Sequence, residues 1–256
     1  MIVSEYILVA IFGLIIGSFL NVCIYRIPKK LSIVLPRSFC PKCKTAIKSW
    51  ENIPIISYII LRGKCSNCKE SISIRYPLVE AITAIMFLLI WHNLWFDLSI
   101  YRMLMNLFFV SVLIVVTFID IDYLLIHDKI TYPVIIIGIV LQAMYNSLGQ
   151  TVLGFFIGGG IIYLFILLGK LFYGQDGMGG GDVKLGALIG VYLGWKMTLL
   201  SIFLACIVGS VISGILILLK KKKSDYIAFG PFMSLGAIIS LLFGKRILDW
   251  YLYYRW

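Results

Sequence analysis

Long apolar runs limit the possible folds of this sequence more than any other feature. A helix needs roughly 20 mostly apolar residues to cross the hydrocarbon core of a bilayer. Seven runs approach that length, and a shorter eighth, Leu185–Trp195, directly follows a glycine-rich stretch. The seven are Tyr6–Tyr25, Leu78–Phe96, Met103–Ile119, Ile130–Asn146, Val152–Tyr173, Met197–Leu219 and Ile227–Leu248. The pattern predicts an all-α polytopic membrane protein with about eight transmembrane helices.

The distribution of charge supports this class and predicts an orientation. Only 14% of the residues are charged, whereas a soluble domain has about 25%. The formal net charge is +11, but the basic residues lie between apolar runs, which indicates topology signals and contact with anionic lipid rather than nucleic acid. The most basic segment is 26–77, so we expect it in the cytoplasm, together with the segments after Ile119 and Tyr173. We therefore expect a multi-pass protein of the cytoplasmic (inner) membrane.

The basic segment also predicts the domain organisation, with a first transmembrane helix at 1–25, a cytoplasmic loop at 26–77 and a transmembrane core at 78–256. The loop carries two CxxC pairs, Cys40 with Cys43 and Cys65 with Cys68, separated by 21 residues. This spacing fits a zinc-ribbon site with four thiolates, and the metal would supply folding free energy to a loop with few large apolar residues. Two disulfides are the alternative, which a reducing cytoplasm disfavours.

The few acidic residues concentrate after two of the apolar runs. Asp120, Asp122 and Asp128 follow one run, while Asp176 and Asp182 follow another. A carboxylate at the edge of lipid is costly, by about 2.5–3.5 kcal/mol at mid-membrane, and is a functional-site hypothesis by default. Two such groups from different helices can share a proton and act as general base and general acid on a peptide bond. The distribution therefore favours an aspartic protease.

Asp182 is the first choice for one member of the pair. Four of the five residues in Gly177–Gly181 are glycine, which predicts an open loop where backbone or substrate can approach the carboxylate that follows. Asp120 is the expected partner because it comes directly after an apolar run. A flexible loop with a helix-capping aspartate, or ion transport through this acidic face, remains an alternative from the residues alone.

Two further carboxylates and a lysine are assigned supporting roles. Asp122 and Asp128 are expected to bind substrate or to cap the helix that begins near Ile130. Lys184 could tune the site or neutralise surplus charge. Within another run, Gly158–Gly160 would allow a second helix to approach closely.

Several motifs in a fixed order resemble those of the type IV prepilin peptidases, polytopic aspartic proteases of the GxGD class. The resemblance extends over nearly the whole chain. The residues that carry it are Gly17–Pro28, Cys40–Cys43, Asn52–Pro54, Leu61–Cys65, Arg75–Glu80, Phe118–Asp122, Gly179–Asp182 and Lys184–Leu185. One departure is His127, at a position where the family often has proline.

The resemblance implies a catalytic pair of Asp120 and Asp182, in a site shaped by Gly179, Gly181 and Lys184. It implies removal, at the cytoplasmic face, of a short basic leader after a glycine in prepilins and pilin-like proteins. It also implies N-methylation of the new N-terminal residue with S-adenosylmethionine as the methyl donor. Leader cleavage without methylation, and a non-enzymatic role in pilin assembly, are the alternatives.

Methylation is the less defined of the two implied activities. The sequence has no glycine-rich dinucleotide-binding fingerprint after a strand, so a site for the methyl donor must be of another kind. We assign methylation to the cytoplasmic loop and the neighbouring helix, with Arg62, Lys64 and Glu80 as candidate residues. Glu80 could equally be a buried partner of an arginine or lysine.

Overall fold

A computed structural model describes residues 3–94, 99–144, 148–174, 178–219 and 227–253. Within these ranges the chain is helical and has no strand, which confirms the all-α class. A 3₁₀ turn at Ser49–Asn52 lies between α1 and α2. The helices are α1 (Val3–Arg26), α2 (Ile56–Ile60), α3 (Arg75–Leu94), α4 (Ile100–Tyr123), α5 (Asp128–Ala143), α6 (Leu148–Tyr173), α7 (Gly180–Leu218) and α8 (Gly230–Tyr253).

Six helices of the described ranges, α1, α3, α4, α6, α7 and α8, are long and apolar enough to cross a membrane. Helix α5 is shorter, with 16 residues. Helix α7 has 39 residues and changes direction at Gly194, where φ is 71° and ψ is 169°. Only glycine adopts such a conformation at little cost, so the run Leu185–Trp195 and the run after it form two arms of one element.

The helix faces that point away from the protein interior carry many large apolar side chains. Large side chains such as Leu8, Phe156 and Phe203 are more than half exposed. A soluble protein rarely leaves so many apolar side chains in water, whereas hydrocarbon tails accommodate them. The exposed faces therefore agree with a multi-pass membrane protein in contact with lipid.

The chain forms two compact units, 1–115 and 116–256. In the first unit, α1 packs closely against α3 because two of its contact residues are glycines. A Cβ added at Gly17 would lie only 2.7 Å from the Cα of Glu80.

At the end of α1 the buried guanidinium of Arg26 donates hydrogen bonds to the carbonyl oxygens of Ser32 (2.8 Å) and Pro36 (2.8 Å). Arg26 thus holds the start of the basic loop against the helix.

In the second unit, α6 and α7 meet along a glycine seam formed by Gly154, Gly158, Gly186 and Gly190. A Cβ added at Gly158 would overlap the carbonyl group of Gly186, so the two backbones are in direct contact. This contact confirms the predicted close approach for Gly158, whereas a Cβ at Gly160 would meet nothing within 4 Å. Helix α8 packs on α7 in turn, and Gly236 lies against the backbone of Ser201.

Candidate functional site

Asp120 lies in the last turns of α4 and is almost completely buried, with 5% of its surface exposed. The backbone N–H of Gly230, the first residue of α8, donates a hydrogen bond to its Oδ2 atom at 3.0 Å. The first amides of a helix have no partner within the helix, so a carboxylate satisfies one of them and benefits from the positive end of the helix dipole. The start of α8 therefore fixes the position of Asp120.

Asp182 lies in the first turn of α7 and is 8% exposed. The backbone N–H of Gly179 donates to its Oδ2 atom at 3.1 Å. Met178 and Gly179 precede the helix, but α7 begins at Gly180 and includes Gly181, so the helix starts within the glycine-rich stretch. The glycines are tolerated because the amides of a first turn need no partner within the helix, and Asp182 satisfies one nearby. Asp176 and Gly177 lie outside the described residues.

The two carboxylates belong to the same unit, and Asp120 acts electrostatically on Asp182. Each accepts one backbone hydrogen bond at Oδ2, while the Oδ1 atoms accept none from the described residues. One fixed oxygen orients the carboxylate, and the other remains available for a water molecule or a substrate carbonyl. Two buried carboxylates that interact electrostatically can share a proton, as the pair of an aspartic protease does.

The glycines beside the aspartates leave no room for a side chain. A Cβ at Gly181 would lie 2.9 Å from the Cβ of Ile126, and a Cβ at Gly230 would lie 2.6 Å from Oδ2 of Asp120. Sequence reasoning missed Gly230, which is 110 residues from its carboxylate partner. The Gly230–Pro231 dipeptide at the start of an apolar run was the available signal, since proline is frequent at the first position of a helix.

The other predicted acidic residues do not join this pair. Asp128 is the first residue of α5, and its Oδ1 atom forms an ion pair with Nζ of Lys184, which also lies over the ring of Tyr132. Asp122 is exposed in the last turn of α4. His127 has an extended backbone (φ −80°, ψ 128°), which a proline at this position could also adopt. A histidine in place of the family's frequent proline is therefore compatible with the same backbone at the start of α5.

The four predicted cysteines come together in the first unit, and all four Sγ atoms lie within 4.8 Å of one another. The Sγ atoms of Cys40 and Cys68 are 3.8 Å apart, and those of Cys43 and Cys65 are 4.0 Å apart. Four sulfurs at 2.3 Å from a tetrahedral zinc ion would be separated by about 3.8 Å. The cluster therefore has the dimensions of a four-thiolate metal site, and none of the four cysteines is in a disulfide.

Each CxxC pair forms the same turn. The amide of Cys40 donates to the Thr45 carbonyl at 2.9 Å, and the amide of Cys65 donates to the Glu70 carbonyl at 2.8 Å.

Hydrogen bonds from Thr45 lower the pKa of Cys43 to about 6, and backbone hydrogen bonds from residues 67 and 68 lower that of Cys65. The pKa of Cys68 is instead raised to about 11, chiefly by desolvation and by the neighbouring thiols. Part of the cluster is thus prepared as thiolate, the form that binds metal.

The three candidates for methyl transfer occupy different environments. Arg62 and Lys64 are exposed on the loop. Glu80 is buried in α3, where its Oε2 atom accepts a hydrogen bond from the backbone N–H of Ile55 at 2.8 Å. Among the described residues no arginine or lysine forms an ion pair with Glu80. Glu80 thus differs from the other two candidates in being buried.

Two sequence-family models match the chain. Residues 11–94 match the bacterial Peptidase A24 N-terminal domain, and residues 107–214 match the type IV leader peptidase family. The first match contains the four cysteines and Glu80, and the second contains Asp120 and Asp182. No solved structure matches the chain.

Curated relatives match over nearly the full length. A prepilin leader peptidase/N-methyltransferase of Legionella pneumophila is 36% identical, over 97% of this chain and 95% of the relative. Proteins with the same name from Neisseria gonorrhoeae and Pseudomonas aeruginosa are each 34% identical, over 96% and 94% of this chain and 94% and 91% of the relatives. These matches confirm the resemblance found in the motifs. The chain belongs to the type IV leader peptidase family.

Proposed function

We propose that this protein is a bifunctional membrane enzyme, an aspartic endopeptidase and an N-methyltransferase. It removes the short basic leader of prepilins and pilin-like proteins after a glycine and methylates the new N-terminal residue. The family membership and the shared name of the full-length relatives support both activities. The observation that carries the peptidase is the pair of buried carboxylates, each held by one glycine amide.

Asp120 and Asp182 are the catalytic residues in this proposal. The carboxylate that is ionised takes a proton from water as the water attacks the scissile carbonyl carbon. The carboxyl group that is protonated donates to the carbonyl oxygen and later to the leaving amine. Two close carboxylates share one proton near neutrality. Which of them acts as the base and which as the acid therefore depends on how the substrate is bound. The amides of Gly179 and Gly230 hold Oδ2 of each aspartate, which leaves the Oδ1 atoms for the reacting groups.

Cys40, Cys43, Cys65 and Cys68 would hold a zinc ion. The separations between their sulfur atoms fit a tetrahedral site, and the lowered pKa values of Cys43 and Cys65 favour thiolates. With four protein ligands the metal leaves no open position, so its role is to hold the loop and not to activate water.

The methyl donor implied by this activity is S-adenosylmethionine, which supplies an electrophilic methyl group. The first unit holds the loop and helix to which methylation is assigned. Of the three candidate residues, Glu80 is the buried one.

The site faces the cytoplasm of the cell and the protein resides in the cytoplasmic membrane. The dense lysine and arginine content of segment 26–77 supports this orientation, because short basic loops remain on the cytoplasmic side. Prepilins present a hydrophobic helix after their leader, so the substrate approaches through the lipid with its basic leader at the same face.

The test is mass spectrometry of a prepilin incubated with membranes that contain the protein and S-adenosylmethionine. We expect loss of the leader and gain of one methyl group with the wild type, and an uncleaved prepilin with Asp120→Asn or Asp182→Asn. Asp249→Asn is the matched control, because Asp249 is an exposed aspartate of α8 away from the pair.

Equal cleavage by wild type and both aspartate variants would contradict the catalytic assignment and leave a non-enzymatic assembly role. Cleavage without the added methyl group would restrict the function to the leader peptidase.

A further inference from the structure

A cavity of about 520 Å³ lies in the first unit, between the end of α1, the cysteine loop and the start of α3. Its volume is within the range of roughly 300–1,000 Å³ that is typical of small-molecule sites. Its lining combines aromatic rings, among them Tyr25, Phe39 and Tyr76, with a few buried polar groups. Neither catalytic aspartate contributes to it, and the peptidase reaction leaves it without a function.

Asn21 supplies the first unsatisfied group of this cavity. It is 3% exposed, and its Nδ2 atom donates to the carbonyl oxygens of Tyr76 (3.0 Å) and Gly17 (3.3 Å). Its Oδ1 atom is buried and accepts no hydrogen bond from the described residues. A buried acceptor without a hydrogen-bond partner is unfavourable, so Oδ1 is available to a donor group of a bound molecule.

Glu80 supplies the second group. It is 8% exposed, and its Oε2 atom accepts a hydrogen bond from the backbone N–H of Ile55 at 2.8 Å. This contact orients the carboxylate, but no cation of the described residues forms an ion pair with it. A buried carboxylate is normally paired, so Glu80 can accept a cation from a bound molecule.

The other charged groups around the cavity are engaged elsewhere or are themselves acidic. The guanidinium of Arg26 is bound to loop carbonyls, and Lys42 pairs with Glu70 at 3.4 Å. The Oε2 atom of Glu51 accepts a hydrogen bond from the backbone N–H of Lys48. Its Oε1 atom is also buried and has no hydrogen-bond partner among the described residues. Arg75 lies beside the Tyr76 ring. The lining thus contains two buried oxygen atoms, Oδ1 of Asn21 and Oε1 of Glu51, that accept no hydrogen bond from the described residues, and a carboxylate, that of Glu80, with no ion pair among them.

We propose that this cavity is the methyl-transfer site and that Glu80 and Asn21 bind a primary ammonium group in it. The inference rests on the methyltransferase half of the proposed function. Both reactants of that half carry such a group, namely the amino-acid part of the methyl donor and the new N-terminus of the processed pilin. The aromatic rings of the lining provide flat apolar surfaces for the base of the donor.

The transfer step is balanced with the groups present. The N-terminal ammonium loses one proton, and its nitrogen then forms a bond to the methyl carbon. The bond between that carbon and sulfur breaks, and its electron pair stays on sulfur, which becomes a neutral thioether. Where the bound ammonium is that of the pilin, Glu80 takes the proton. Where it is that of the donor, Glu80 holds the donor and the proton leaves to water.

The experiment measures equilibrium binding of radiolabelled S-adenosylmethionine to the purified, zinc-loaded full-length protein, without pilin. The same preparations then methylate a synthetic pilin that already has a free N-terminus. The variants are Glu80→Gln, which keeps the shape, and Ser57→Trp, which fills the cavity from α2. Glu5→Gln in the first turn of α1, outside the cavity, is the matched control.

We expect Ser57→Trp to weaken donor binding by about tenfold or more, because the indole occupies the site. If the ammonium is that of the donor, Glu80→Gln weakens donor binding by about tenfold or more, since a charged hydrogen bond is lost. If it is that of the pilin, Glu80→Gln keeps donor affinity and loses about 100-fold in the rate of methylation. Zinc content and leader cleavage verify that each variant is folded.

Wild-type donor affinity and wild-type methylation in both variants would overturn the inference while leaving the proposed function intact. A wild-type protein that cleaves prepilin but neither binds the donor nor methylates would overturn the methyltransferase half, and the inference with it.

Discussion

At the scale of single residues, two backbone amides define the geometry of the candidate peptidase site. Gly179 and Gly230 each donate to one oxygen of an aspartate, and each lies at the start of a helix. Neither glycine contributes a side chain, so both act through a backbone N–H, and at Gly230 the absence of a Cβ is needed as well. Gly230 is therefore a positioning residue whose substitution should affect catalysis through Asp120.

Gly230→Ala should reduce leader cleavage by about 100-fold, because the new Cβ would displace the Asp120 carboxylate and misplaced catalytic groups lose rate steeply. The measurement is the single-turnover rate of cleavage at saturating prepilin. Gly214→Ala in α7 is the control, since a Cβ there meets nothing within 4 Å. A wild-type rate for Gly230→Ala would mean that Asp120 does not depend on this contact.

At the scale of elements, the cysteine loop and the glycine seam show two different sources of stability. The loop is held by Arg26, by its turns and by four thiols that can share a metal ion. The seam holds α6 and α7 by direct backbone contact at glycines, which needs no buried polar pair. In lipid, where the hydrophobic effect does not drive helices together, such close packing is the main contribution to their association.

Removal of zinc should open the loop without releasing the transmembrane helices. We expect trypsin to cleave within 26–77 after treatment with a chelator or in Cys43→Ser, because the lysines and arginines of the loop become accessible. Fragment masses identify the cleaved bonds. Cys206→Ser, which alters a cysteine outside the cluster, should retain both metal and resistance. An equally resistant loop in metal-free protein would show that the metal is not needed for its fold.

Gly158→Ala should destabilise the second unit by about 1–3 kcal/mol, because the added methyl group overlaps the Gly186 carbonyl and the backbones must separate. The measurement is thermal unfolding in detergent. Gly160→Ala, two positions along the same helix, places its Cβ in open space and should leave the stability equal or slightly higher. Equal unfolding temperatures for the two variants would be evidence against a tight seam.

At the scale of the whole molecule, the two proposed chemistries reside in different compact units. The aspartate pair belongs to 116–256, whereas the cysteine cluster and the cavity with Glu80 belong to 1–115. No residue of one proposed site is shared with the other. The two activities should therefore be lost independently.

Asp182→Ala should fail to cleave prepilin but should methylate a synthetic pilin whose N-terminus is already free, at close to the wild-type rate. The reason is that the substitution leaves the residues of the first unit unchanged. The methyl gain is read by mass spectrometry with and without the prior cut. Loss of methylation on the pre-cut pilin would show that the aspartate pair also takes part in methyl transfer.

The sequence alone determined the membrane class, the approximate extent of the helices and the four cysteines that come together, and it singled out Asp120 and Asp182 as the proposed catalytic pair. These features follow from local signals, namely the length of apolar runs, the spacing of CxxC pairs and the cost of a carboxylate in lipid. The order of the motifs added the family.

Only the tertiary structure showed that Gly230 holds Asp120 and that Glu80 is buried while Arg62 and Lys64 are exposed. It also showed that α7 begins at Gly180, so that Gly180 and Gly181 belong to its first turn. These features depend on contacts between segments far apart in the chain, and a local pattern does not specify which distant backbone amide will satisfy a given carboxylate. Burial has the same origin, because a side chain is shielded by the elements that fold around it.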